Sequence, residues 1–198
     1  LDAAENDAKV LANVLQDKYG FEVELLLNAD YDTTVNSLYK ITNKLKSNDN
    51  LLIYYAGHGD EHEVSGVGYW QGVDAIKGRR STWVANSDIT NEIKGLKPKH
   101  IIVIADTCYS GTIIVERGSE DKITRQQKNK EASIRKKHKK IARVAITSGD
   151  IGEKVADREK FNSKHSPFAE TIISILKDNN DLLYSMELYS KLWDQMQT

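Results

Sequence analysis

The chain has 198 residues, 39% of them hydrophobic and 29% charged, with a formal net charge of −1. That is sequence enough for one domain with its own core, and the near-balanced charge excludes a whole-molecule attraction to nucleic acid or anionic membranes. A single cysteine, Cys108, excludes an internal disulfide framework, and no apolar run reaches the length of a membrane span.

Residues 3–19 are predicted as an amphipathic helix, because Ala4, Ala8, Leu11, Ala12, Leu15 and Tyr19 recur at three- and four-residue steps. Gly20 is a natural stop. Val23 to Leu27 reads as a short strand and Asn28-Ala29-Asp30 as a turn. A second helix is predicted over 32–46, with Val35, Leu38, Ile41 and Leu45 on one face and Thr33 or Asp32 able to cap its start.

Residues 51–59, LLIYYAGHG, form an apolar, β-branched and aromatic run that stops at a glycine-rich turn holding His58. Residues 101–111, IIVIADTCYSG, repeat the pattern, and their turn holds Cys108. Continuous apolar runs of this kind read as buried strands of a parallel sheet. Between them, residues 60–85 are irregular, with short alternating segments around Val64, Val67, Tyr69 and Val73 that suggest a hairpin excursion. Residues 87–96 read as a helix capped by Ser87 or Asp88, with Pro98 beyond its end.

After Cys108 the composition shifts. Residues 122–143 carry ten lysines and arginines against one acid, Glu131, and read as a solvated, mobile loop. ARVAIT at 142–147 returns to strand composition, and SGD makes a turn. Residues 167–177 are predicted as a helix opened by Ser166-Pro167. A final helix is predicted over 185–196 with Leu188, Tyr189, Leu192, Trp193 and Met196 on one side. Strands alternating with helices predict an α/β sandwich around a mostly parallel sheet.

In such sheets reactive groups sit just past the carboxyl ends of the strands. If the two apolar strands are neighbours, an imidazole and a thiol meet at one edge, which is a base beside a nucleophile. Alone, Cys108 reads first as a buried, inert thiol at a strand end. Alone, His58 is readable as a turn histidine satisfied by backbone. The glycines flanking His58 favour a site, since they let backbone come close to a substrate.

YYAGHGD followed by DTCYSG, fifty residues from His58 to Cys108, resembles the caspase-like cysteine peptidases, within them the metacaspase and prokaryotic orthocaspase branch. The resemblance extends to NDAKVLANVLQDKYGFEVELLLNAD near the start, GYWQGVDA in the middle and HSPFAETIISIL near the end. It implies a single caspase-like three-layer domain over 1–198, with residues 117–143 as a basic mobile loop or processing linker between the large- and small-subunit regions. It also implies a core strand before the first helix. The sequence starts inside that helix and without a methionine, so a strand missing upstream and a fragment of a longer protein are expected.

The resemblance implies His58 and Cys108 as the catalytic dyad, with the backbone N–H groups of Gly59 and Cys108 as oxyanion donors. Asp106, where caspases have a glutamine in their signature, matches the residue that lines the specificity pocket in the metacaspase branch, and Asp7 matches a second acidic pocket residue. A strand-end cap for Asp106 and a helix-surface charge for Asp7 stay open beside these roles. The implied substrate is a protein or peptide with Arg or Lys before the scissile bond. Autoprocessing within 117–143 is the further expectation. The remaining histidines, His62, His100, His138 and His165, read as surface or loop residues. Trp70, Asp74 and Trp83 are expected to shape the substrate groove.

No required cofactor or metal is expected. Some metacaspases need calcium, but Asp60, Glu61, His62 and Glu63 lack the spacing of a calcium loop and read as a solvated turn. No secretory signal is visible, and a cytoplasmic location, no membrane contact and fused or associated regulatory domains are the expectations. Two competing readings are a catalytically silent scaffold of the same fold and a binding module for acidic partners or nucleic acid through 122–143. The second is weakened by the absence of interleaved aromatics in that segment.

Overall fold

The structure is a computed structural model that describes residues 2–108, 141–149 and 164–196. The 109–140 segment, with most of the basic run, lies outside the described residues. The frame is a three-stranded parallel sheet of β1 (Asn50–Ala56), β5 (His100–Asp106) and β6 (Ala142–Thr147), in the order β1-β5-β6. The excursion between β1 and β5 folds as a separate antiparallel sheet of β2 (His58–Glu61), β3 (Gly68–Gln71) and β4 (Trp83–Ala85). Among the described residues the helices are α1 (Asp2–Tyr19), α2 (Tyr31–Lys44), α3 (Asn86–Gly95), α4 (Pro167–Asp178) and α5 (Ser185–Met196).

The period-2 alternation of strand side chains builds three layers from this sheet. Leu52, Tyr54, Ile102, Ile104, Val144 and Ile146 point to one face, where they pack with Leu11, Val14 and Leu15 of α1, Ile172 of α4 and Leu188 of α5. Leu51, Ile53, Tyr55, Ile101, Val103 and Ala105 point to the other, against Leu38 and Ile41 of α2, Ile89 and Ile93 of α3, and Trp70 of β3. The predicted α/β sandwich with a mostly parallel sheet is therefore the observed architecture.

Four local expectations are corrected. Val23–Leu27 forms no strand: it pairs with no ladder among the described residues, and Leu25, Leu26 and Leu27 are exposed. Its apolar composition met no partner edge. The cap of α2 is Asp30, whose carboxylate accepts the Thr33 N–H at 2.8 Å, and not Thr33 or Asp32. α3 starts at Asn86 after Ala85, with no side-chain cap from Ser87 or Asp88. On α5 only Leu188 and Leu192 are buried, while Tyr189, Trp193 and Met196 face outward.

Arg143 belongs to β6 and not to a mobile basic run. Its guanidinium donates to the Lys94 and Leu96 carbonyls at 3.0 Å each, which satisfies acceptors at the end of α3.

Candidate active site

The β1–β5 register, Asn50 against His100 through Ala56 against Asp106, ends both strands at one level. His58 and Cys108 each follow two residues later, so the sheet carries both to the same edge. His58 opens β2 and is exposed; Cys108 is half-buried. Their backbones meet through Gly59. A Cβ there would overlap the Cys108 carbonyl oxygen and stand 2.5 Å from Thr107 Oγ1. Only glycine permits this approach of the His58 segment to the Cys108 turn.

Both turns are held from outside. The Gly57 N–H donates to the Asp106 carbonyl at 3.3 Å. The Thr107 N–H donates to Ser148 Oγ at 3.1 Å, and the Ser148 N–H donates to the Ala105 carbonyl at 3.0 Å. Tyr55 braces the histidine side. Its hydroxyl lies 2.7 Å from the His58 carbonyl, to which it donates, and accepts the Gln71 N–H at 3.1 Å. Its ring stacks on Trp70 at 4.3 Å and 4°. Burial pushes the Tyr55 phenol up, so it stays a neutral donor.

The acidic residues collect on the opposite face of the sheet from Tyr55. Strand alternation sends Asp106 to the same face as Ile104, toward α1 and α4. Asp7 sits on the buried stripe of α1 with Ala3, Leu11, Val14 and Leu15, and is 1% exposed; Asp106 is 7% exposed. Ser166, just before α4, joins them. Its N–H donates to Asp7 Oδ2 at 3.2 Å and its hydroxyl donates to Asp106 Oδ2. The same hydroxyl accepts the Ala169 N–H at 3.0 Å and so caps α4. His165 Nδ1 lies 2.5 Å from Asp7 Oδ1, and the Asn6 amide nitrogen lies 3.2 Å from the same ring atom. The helix-surface reading of Asp7 is thus corrected, while His165 lies in the loop before α4, as expected, with its ring partly buried against Asp7. A buried carboxylate has to be hydrogen-bonded or paired, and here two residues of the HSPFA segment do it.

Tyr54 completes the cluster. Its hydroxyl is buried and has no hydrogen-bond partner among the described residues. Burial, then the charges of Asp106 and Asp7, push its phenol up.

The expected groove residues are placed otherwise. Trp70 and Trp83 are core, 3% and 5% exposed. Asp74 accepts the Tyr31 N–H at 2.9 Å and ties the loop after β3 to the start of α2. His62 accepts the Val64 and Ser65 N–H groups through Nδ1 and organises the turn that follows β2. No group of three or more metal-capable side chains converges among the described residues. Nor is any described helix long and apolar enough to cross a membrane. Sequence reasoning passed over Tyr55 and Ser148, took Ser166 only as a helix start, and gave His165 no partner. The one available signal was an aspartate on the apolar stripe of α1, which demands a buried partner.

The Asp7 environment generates a prediction. Burial raises the Asp7 carboxyl above its ordinary value of 3.8, against the opposing hydrogen bonds of His165 and Ser166. A carboxyl raised in the folded state contributes stability below its unfolded value and loses it as pH rises through the folded value. Urea denaturation from pH 4 to 7 should show wild type losing stability relative to Asp7→Asn as pH rises. A wild type that gains on the variant would mean that the two hydrogen bonds outweigh burial.

The comparisons with known proteins agree with this architecture. The sequence profile of the caspase domain, Peptidase_C14, matches residues 1–197. The crystal structure of protein GSU0716 from Geobacter sulfurreducens superimposes with a TM-score of 0.68 at 16% identity, over 99% of this chain and 80% of that one, a likeness of fold. No curated protein matches. The chain belongs to the caspase domain family and, with it, to the cysteine peptidase type.

Proposed function

We propose that this protein is a cysteine endopeptidase that cleaves after Arg or Lys with His58 and Cys108 as its dyad. The observation that carries the reading is the level ending of β1 and β5, with the Gly59 backbone packed on the Cys108 turn. The Cys108 thiol gives its proton to His58 and the thiolate attacks the scissile carbonyl. His58 passes that proton to the departing amine, leaving a thioester on Cys108. Water then attacks the thioester with His58 as base, and the acid product and the thiol are released. The N–H groups of Gly59 and Cys108 stabilise the tetrahedral oxyanion, a contribution of roughly 3 kcal/mol for such a donor.

Asp7 and Asp106 supply the selectivity. Two carboxylates held together favour a cationic side chain and repel an acidic one. Autoprocessing within 117–143 follows from the same preference, since that stretch is dense in Lys and Arg.

Fluorogenic peptides that differ only before the scissile bond test the reaction. Arg or Lys peptides should be cut about a hundredfold faster than the Asp peptide, and Cys108→Ala should abolish the cleavage. Faster hydrolysis of the Asp peptide, or cleavage that survives in Cys108→Ala, refutes the proposal. Autoprocessing is read by intact mass after long incubation. Fragments ending at Lys or Arg within 117–143 are expected in wild type and not in Cys108→Ala; identical intact masses would refute it.

A further inference from the structure

The two carboxylates of the proposed pocket come from α1 and from the end of β5, far apart in the chain, and neither touches the other through any contact described above. What they share is Ser166. Its backbone donor holds Asp7 at 3.2 Å and its side-chain donor holds Asp106. The hydroxyl is itself fixed, because it accepts the Ala169 N–H at 3.0 Å and so cannot swing without uncapping α4. One residue with two donors thus sets the spacing and orientation of two buried acids. His165, beside it, places Nδ1 2.5 Å from Asp7 Oδ1. Each carboxylate oxygen has more than one lone-pair direction, so one hydrogen bond does not saturate it. The buried Tyr54 hydroxyl, in the field of both acids and without a partner among the described residues, is a further acceptor. An unmet buried hydroxyl opposes folding, and a donor-rich ligand group would satisfy it.

We infer that Ser166 is the positioning residue for selection of the cationic side chain, clasping Asp7 and Asp106 into one acceptor site for a guanidinium or ammonium group. The inference rests on the proposed Arg/Lys pocket and adds the residue that assembles it. A planar guanidinium presents several donors in fixed directions, so its binding depends on where both carboxylates stand. Loss of the clasp should therefore act on recognition of the charged side chain and not on the dyad.

The test separates this inference from the reading beneath it by measuring binding without turnover. Cys108→Ala protein is titrated calorimetrically with Nα-acetyl-arginine amide and with its neutral citrulline counterpart. The same titrations are run with Ser166→Gly and Ser166→Thr added. Glycine keeps the N–H to Asp7 and is itself a favoured N-cap residue, so Ser166→Gly removes the hydroxyl donor to Asp106 with little else. The expected result is arginine preferred over citrulline in the parent, about tenfold weaker arginine binding in Ser166→Gly, and recovery in Ser166→Thr. Parent-like arginine affinity and preference in Ser166→Gly would overturn the inference and leave the acidic pocket standing. Equal binding of arginine and citrulline by the parent would overturn the pocket itself, and the clasp with it.

Discussion

The parallel pairing of β1 with β5 is the constraint on which the rest depends. It fixes Ala56 opposite Asp106, and everything beyond those residues inherits the alignment. A shift of one residue would turn every side chain of a strand to the other face. Asp106 would then point at α2 and α3, and the Gly59 backbone would lose its seat on the Cys108 turn. The register is held by burial: Ile101, Val103, Ile104 and Ala105 are all at most 2% exposed, so a slipped strand has no solvated alternative.

Two kinds of chemistry are divided between the faces of this sheet. On one, Tyr55 stacks on Trp70 and braces the His58 turn, which couples the small antiparallel sheet to the parallel one. On the other, Ser166 joins Asp7 to Asp106. The second arrangement is costly in isolation, because desolvated carboxylates oppose folding, and the raised Asp7 carboxyl records that cost. Such a cluster contributes little stability beside well-packed apolar residues. Its place in the middle of an apolar helix stripe is consistent with the proposed binding role.

The layered fold was legible because each strand and helix advertises its buried face locally. The runs at 51–56 and 101–105 contain almost no polar residue, and their turns bracket His58 and Cys108. What sequence could not supply were features that depend on a distant partner. Val23–Leu27 has strand composition, yet strand formation needs an edge to pair with. Tyr189 and Trp193 share a helical side with Leu188, but the packing surface of α4 reaches only Leu188 and Leu192. Ser166 read as a helix start, which it is; its second role appears only when α1 and β5 are brought to it across more than fifty residues of chain.

The central claim is that the sheet edge makes His58 act on Cys108. Because Cys108 is the only cysteine, its alkylation by the neutral reagent iodoacetamide can be followed without interference by intact mass. Alkylation at neutral pH should be slowed by about tenfold or more in His58→Ala, since the thiolate and not the thiol reacts. Equal rates in wild type and His58→Ala would contradict it: the two residues would share an edge without forming a dyad.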